Sequence, residues 1–168
     1  MKKRTVALIV TGVLTAVICG VMNLVFIPQI ESTTEGVRCF DMNFGYSYET
    51  AQRFLSLLSE DGRSVYLTRQ LPLDFFYPLA YGAFFILLIC TLTRKKSKLA
   101  LLPVFLMLAD YCENICVILM LKSDALSKTL VGMASAATSV KTVLMYLCFV
   151  LIVVLIVLAV RNRKKQAA

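Results

Sequence analysis

The stretch Ala109-Asp110-Tyr111-Cys112-Glu113-Asn114 decides how this chain is read, because it interrupts an otherwise apolar segment bounded by Lys98 and Lys122. Asp110 stands midway between the two lysines. At about 1.5 Å of helical rise per residue it lies about 18 Å from either one, the depth of a bilayer midplane. Asp110, Glu113 and Asn114 follow an i, i+3, i+4 spacing and share one helical face. Two carboxyls and an amide at that depth are costly, and such groups turn toward a bundle interior and mark function.

The rest of the chain supplies that bundle. Its 168 residues are 59% hydrophobic, with a mean hydropathy of +0.79, against about 45–50% apolar residues in a soluble domain. Four apolar runs, about 5–29, 72–93, 99–121 and 130–160, each reach the roughly 20 residues that span a bilayer. The expected fold is an all-α integral membrane protein, a four-transmembrane-helix bundle forming one polytopic domain over 1–168. The one sizeable connection is 30–71, expected to lie outside the cytoplasm.

The net charge of +8 acquires its meaning from position. Lys2, Lys3 and Arg4 precede the first run. Arg94, Lys95, Lys96 and Lys98 fill the second connection, and Arg161, Arg163, Lys164 and Lys165 follow the last run. By the positive-inside rule all three clusters lie on the cytoplasmic side, so both termini are cytoplasmic in a multi-pass cell (inner) membrane protein. The basicity meets anionic headgroups of the lipid bilayer, and no nucleic-acid partner is expected.

Six cysteines occur, of which only Cys39 falls in 30–71, so no disulfide within that connection is expected. Cys112 and Cys116 read as small packing residues. The chain contains no His, which removes the usual neutral-pH acid–base group and the commonest metal ligand. No cofactor and no metal site are expected. The first apolar run is longer than the 7–15-residue core of a cleaved signal and reads as an uncleaved span. In it Thr11, Gly12, Thr15 and Gly20 suggest a close-packing face.

Pro28 marks the start of the long connection, and residues 31–36 read as irregular. From Ser47 the periodicity turns helical, with Ala51, Phe54, Leu55 and Leu58 opposite Glu49, Gln52, Arg53 and Ser56. This amphipathic helix, capped by Ser47 and ended at Gly62, is expected on the outer membrane surface or over the bundle mouth. A further helical piece, 63–70, leads to the second span, whose first turn holds Pro72.

The cytoplasmic charges give a common zero for depth. Asp74 and Lys141 are each about 30 Å above it and Asn23 about 28 Å; Tyr77, Glu113, Asn114 and Tyr146 fall at roughly 22–26 Å, and Asp110 and Tyr81 at roughly 18–20 Å. These nine residues are the candidate ligand-binding or proton-coupling set; catalytic residues are not assigned. Lys141 is the available buried cation, with Asp74 its partner by height and Glu113 within reach. Asp74, Asp110 and Glu113 against one lysine leave the site short of two positive charges, so protons or a cationic ligand complete it.

The leading expectation is an outward-facing acidic pocket that binds or transports a small cationic or amphipathic molecule, through charge pairing and tyrosine faces. Four helices are few for alternating access, so a transporter would require a homodimer. A second reading is an intramembrane enzyme acting on a lipid or isoprenoid by carboxyl acid–base chemistry. The four-span plan with mid-membrane carboxylates resembles the emopamil-binding sterol isomerase class in helix count. That family's site features His and Trp, this chain has neither, and no activity is carried over. A third reading is a non-catalytic accessory or assembly subunit of a membrane complex.

Overall fold

A computed structural model describes residues 2–93 and 97–167, with side chains over 3–93 and 97–162. Arg94, Lys95 and Lys96 lie outside the described residues, as do the side chains of Lys2, Arg163, Lys164 and Lys165. The described chain is all-helical, and four helices are long and apolar enough to cross a membrane by length and composition: Lys3–Glu31, Glu60–Leu92, Lys98–Lys122 and Lys128–Asn162.

The first of these consists of α1 (Lys2–Val21), a π-helical turn at Met22–Phe26 and α2 (Ile27–Glu31). Pro28 occupies the first turn of α2, so the helix runs past the proline expected to end it. A short 3₁₀ turn at Phe40–Met42 and α3 (Tyr48–Leu57) follow. Ser47 caps α3 by accepting from the Thr50 N–H at 3.2 Å. The chain breaks at Leu58, not Gly62, and Ser59 starts α4 (Glu60–Val65) by accepting from the Gly62 N–H. A second π turn, Tyr66–Gln70, joins α4 to α5 (Leu71–Leu92). Pro72 therefore lies inside a continuous helix. Proline offers no N–H and its ring crowds the preceding turn; the π turn supplies the slack, closed by Leu71 N–H donating to the Tyr66 carbonyl. A 3₁₀ turn at Lys98–Leu101 opens α6 (Leu102–Lys122), and α7 (Lys128–Ala167) completes the chain.

α5 packs against α1, α6 and α7, and α6 lies along α7. Two apolar cores result. At the end carrying residues 32–59, here the loop end, Phe40, Phe54, Tyr66, Val117 and Met120 pack together, with Phe40 and Phe54 ring centroids 4.7 Å apart. At the opposite, basic end Tyr81, Phe85, Ile89, Leu106 and Cys148 form the other core. Along α6 the polar run 110–114 falls between them. Gly12 provides the close approach of α1 to α5, since a Cβ there would stand 3.0 Å from the Phe84 ring. Gly20 faces open space, and Thr11 and Thr15 bond to carbonyls of their own helix. The close-packing face thus reduces to Gly12.

The antiparallel register of α6 and α7 is set by two contacts, Glu113 with Thr138 and Asp110 with Lys141. Counting back from them puts Lys98 beside Val153, eight residues short of Arg161, or about 12 Å along the helix. α7 overhangs the other helices at the basic end. Depth counted from Arg161 therefore sets Lys141 about 12 Å too far toward the loop end, whereas it lies level with Asp110.

Candidate functional site

Lys141 reaches from α7 into the layer between the two cores. Its Nζ pairs with Glu113 Oε2, stands 3.5 Å from Asp110 Oδ1 and 3.8 Å from Asp41 Oδ1. Each acid is held by a second group. Thr138 donates to Glu113 Oε1 at 2.5 Å, Tyr81 to Asp110 Oδ2 at 2.8 Å, and Tyr66 to Asp41 Oδ2 at 2.9 Å. A buried charge is tolerated when it is paired and its remaining valences are hydrogen-bonded, which is the pattern seen here.

Asp74, expected as the partner of Lys141, is not among its ion pairs. It sits on α5 and accepts from Gln70 Nε2, one turn earlier, at 3.1 Å. Asn114 crosses from α6 to donate to the Asp74 backbone carbonyl at 2.9 Å. The height rule misassigned the pair because α7 overhangs at the basic end.

Of the nine sequence candidates, the structure brings Asp110, Glu113, Asn114, Lys141, Asp74 and Tyr81 into one polar layer. Tyr77 stacks edge-on to Tyr81, with centroids 5.0 Å apart. Asn23 borders the layer, although its amide donates to the Cys19 carbonyl of its own helix. Tyr146 is not brought there: it is 65% exposed, on the side of α7 away from the bundle. The residues that sequence reasoning missed are Asp41, Gln70, Thr138 and Tyr66. Asp41 stands between Phe40 and Met42 in the connection 30–71, at a place the sequence assigns to no element. Tyr46, in the same connection, donates its N–H to Ser135 Oγ at 2.9 Å. Burial, then the nearby Glu113 charge, pushes its phenol above the ordinary tyrosine range.

A cavity of about 170 Å³ adjoins this layer. Asp41, Asp74, Asp110 and Lys141 border it with Gln70, Tyr77 and Asn23, and methionines 22, 42 and 145 supply much of its apolar wall. At about 30 Å³ per water it has room for about five or six waters. Pockets for drug-sized molecules run to about 300–1,000 Å³. Among the described residues no group of three or more His, Cys, Asp or Glu side chains is arranged to hold a metal ion.

No protein-family model, curated protein or solved structure matches this chain. Any functional reading therefore rests on the site. Among the described residues three carboxyls gather around one ammonium, a fourth, Asp74, lies apart from it, and Asp41, Asp74 and Asp110 border a cavity whose walls carry acceptors more than donors. Such an arrangement can hold a cation.

Proposed function

We propose that this is a multi-pass cell-membrane protein, with both termini cytoplasmic and the loop end outward, that binds or transports a small cationic molecule in the cavity beside Lys141. The observation that carries this reading is the charge imbalance: among the described residues Asp41, Asp110 and Glu113 share the Lys141 ammonium, and Asp74 borders the same cavity with no cation of its own. Uncompensated acids in a low-dielectric layer are expensive, so a bound cation lowers the free energy of the layer. The cavity volume favours a small guest over an amphiphile of drug size.

The orientation rests on the basic residues of the three clusters. The helix Tyr48–Leu57, with Ala51 and Phe54 buried and Glu49, Gln52, Arg53 and Ser56 exposed, is then an amphipathic cover over the outer mouth. Asp41 in the preceding segment connects that cover to the site through Lys141 and Tyr66.

The test is a titration of the purified full-length protein in nanodiscs with methylammonium, followed calorimetrically. Saturable binding that disappears when Asp74→Asn and Asp110→Asn are combined supports the reading. An isotherm unchanged in that double variant would overturn it. Accumulation of methylammonium in proteoliposomes distinguishes carriage from binding alone.

A further inference from the structure

The four acids are not equivalent. Glu113, Asp110 and Asp41 are gathered around Lys141 Nζ. Asp74 has no cation within ion-pair distance among the described residues, although it is only 5% exposed. The group beside it is Gln70, fully buried, whose Nε2 donates to Asp74 Oδ2 and whose Oε1 has no hydrogen-bond partner. Both residues border the cavity, and so does Tyr77. A buried amide oxygen left without a donor costs the desolvation of that group and marks a place where a donor belongs.

The backbone points to the same corner. Gln70 closes the π turn of the second span. The π turn of the first span, Met22–Phe26, supplies Met22 and Asn23 to the same cavity. Such turns are rare and recur at functional sites; here two of them flank one carboxylate.

We propose that Asp74 is the docking point for the guest's cationic head, with Gln70 Oε1 as the second acceptor and the Tyr77 ring beside them, and that the guest is a small primary ammonium. Lys141 is then the resident cation of the other three acids and joins α6, α7 and the Asp41 segment. This inference rests on the cavity being a cation site and specifies which acid binds and what it selects. A primary ammonium carries three N–H donors, enough for the free Asp74 oxygen and Gln70 Oε1 together. A quaternary ammonium has none, fills more of the small cavity and leaves the amide oxygen unpaired.

The experiment compares methylammonium and tetramethylammonium on the full-length protein in nanodiscs, in wild type, Asp74→Asn, Asp74→Glu, Gln70→Met and Glu113→Gln. A charge-assisted hydrogen bond is worth a factor of about ten to a hundred in affinity. Asp74→Asn is expected to weaken methylammonium binding by at least about tenfold, Asp74→Glu to restore part of it, and Glu113→Gln to weaken it less than Asp74→Asn does. If Asp74→Asn does not fold, Gln70→Met carries the same expectation of weaker binding with preference for the primary amine lost. Wild-type affinity in Asp74→Asn, with loss in Glu113→Gln, would overturn the assignment to Asp74 and leave the cavity as a site where guests compete with Lys141. Equal affinity for tetramethylammonium would overturn the selectivity. A wild-type protein that binds neither cation overturns the cavity reading itself.

Discussion

At the scale of single residues, Lys141 has the largest electrostatic responsibility. Removing it as Lys141→Met leaves three buried or half-buried carboxyls without their cation, and breaking one side of such an ion pair costs about 3–5 kcal/mol. Glu113→Gln alone removes one acid from a trio and should cost less. Combining Glu113→Gln with Lys141→Met should recover part of the loss, because Glu113→Gln removes an acid that Lys141→Met strands. Reversible unfolding in mixed detergent micelles measures all three; strictly additive losses would show that the pair is not coupled. Cys39 gives a second test at this scale. It is fully buried, and burial, then the Asp41 and Glu31 charges, pushes its thiol above the ordinary cysteine range. The folded thiol therefore stays protonated while the unfolded one ionises as pH rises, so alkaline pH favours unfolding through this group and not acid. A membrane-impermeant maleimide should label Cys39 far more slowly than a cysteine placed at the exposed Glu35. Asp110, Glu113 and Lys141 were legible in the sequence because a charge in an apolar run has no cheap alternative to the bundle interior. Asp41 was not, because an acid in a polar connection is ordinary until packing of Phe40 and Phe54 carries it into the layer.

At the scale of elements, the helices were legible in number and approximate span, and their junctions were not. Pro28 was read as a loop start, yet it lies in a continuous helix next to a π turn; Pro72 does fall in the first turn of α5, but the π turn that joins it to α4 has no periodicity of its own to detect in so short a segment. The α1–α5 contact makes a sharper claim. Leucine at Gly12 must displace the Phe84 ring, and overpacking of that kind costs about 1–3 kcal/mol. Leucine at Gly20, where a side chain meets nothing within 4 Å, should change stability by less than about 0.5 kcal/mol. Thermal unfolding of the two variants side by side checks the contact. Equal effects would mean that α1 does not approach α5 through Gly12.

At the scale of the whole molecule, α7 stands out of step with its neighbours toward the basic end. Contacts between α5 and α6, such as Tyr81 with Asp110, agree with depths counted from the basic residues at 94–98, whereas α7 disagrees by about 12 Å. Its apolar run of 130–160 is about 46 Å long against about 30 Å of hydrocarbon. Its loop-end half is fixed to α6 by Thr138 and Lys141, so the excess falls at the basic end, where Val153, Val157 and Val160 are exposed. If that end is cytoplasmic, the segment 153–160 enters the inner headgroup region ahead of Arg161, which lies beyond Lys98 along the bundle. The orientation is decided by labelling from outside intact cells. A cysteine at Glu35 should react with an impermeant maleimide, and one at Asn162 should react only after the cells are opened. The inverse pattern would put the cavity mouth in the cytoplasm, reverse the direction from which a cation enters, and require that the basic clusters be explained by something other than topology.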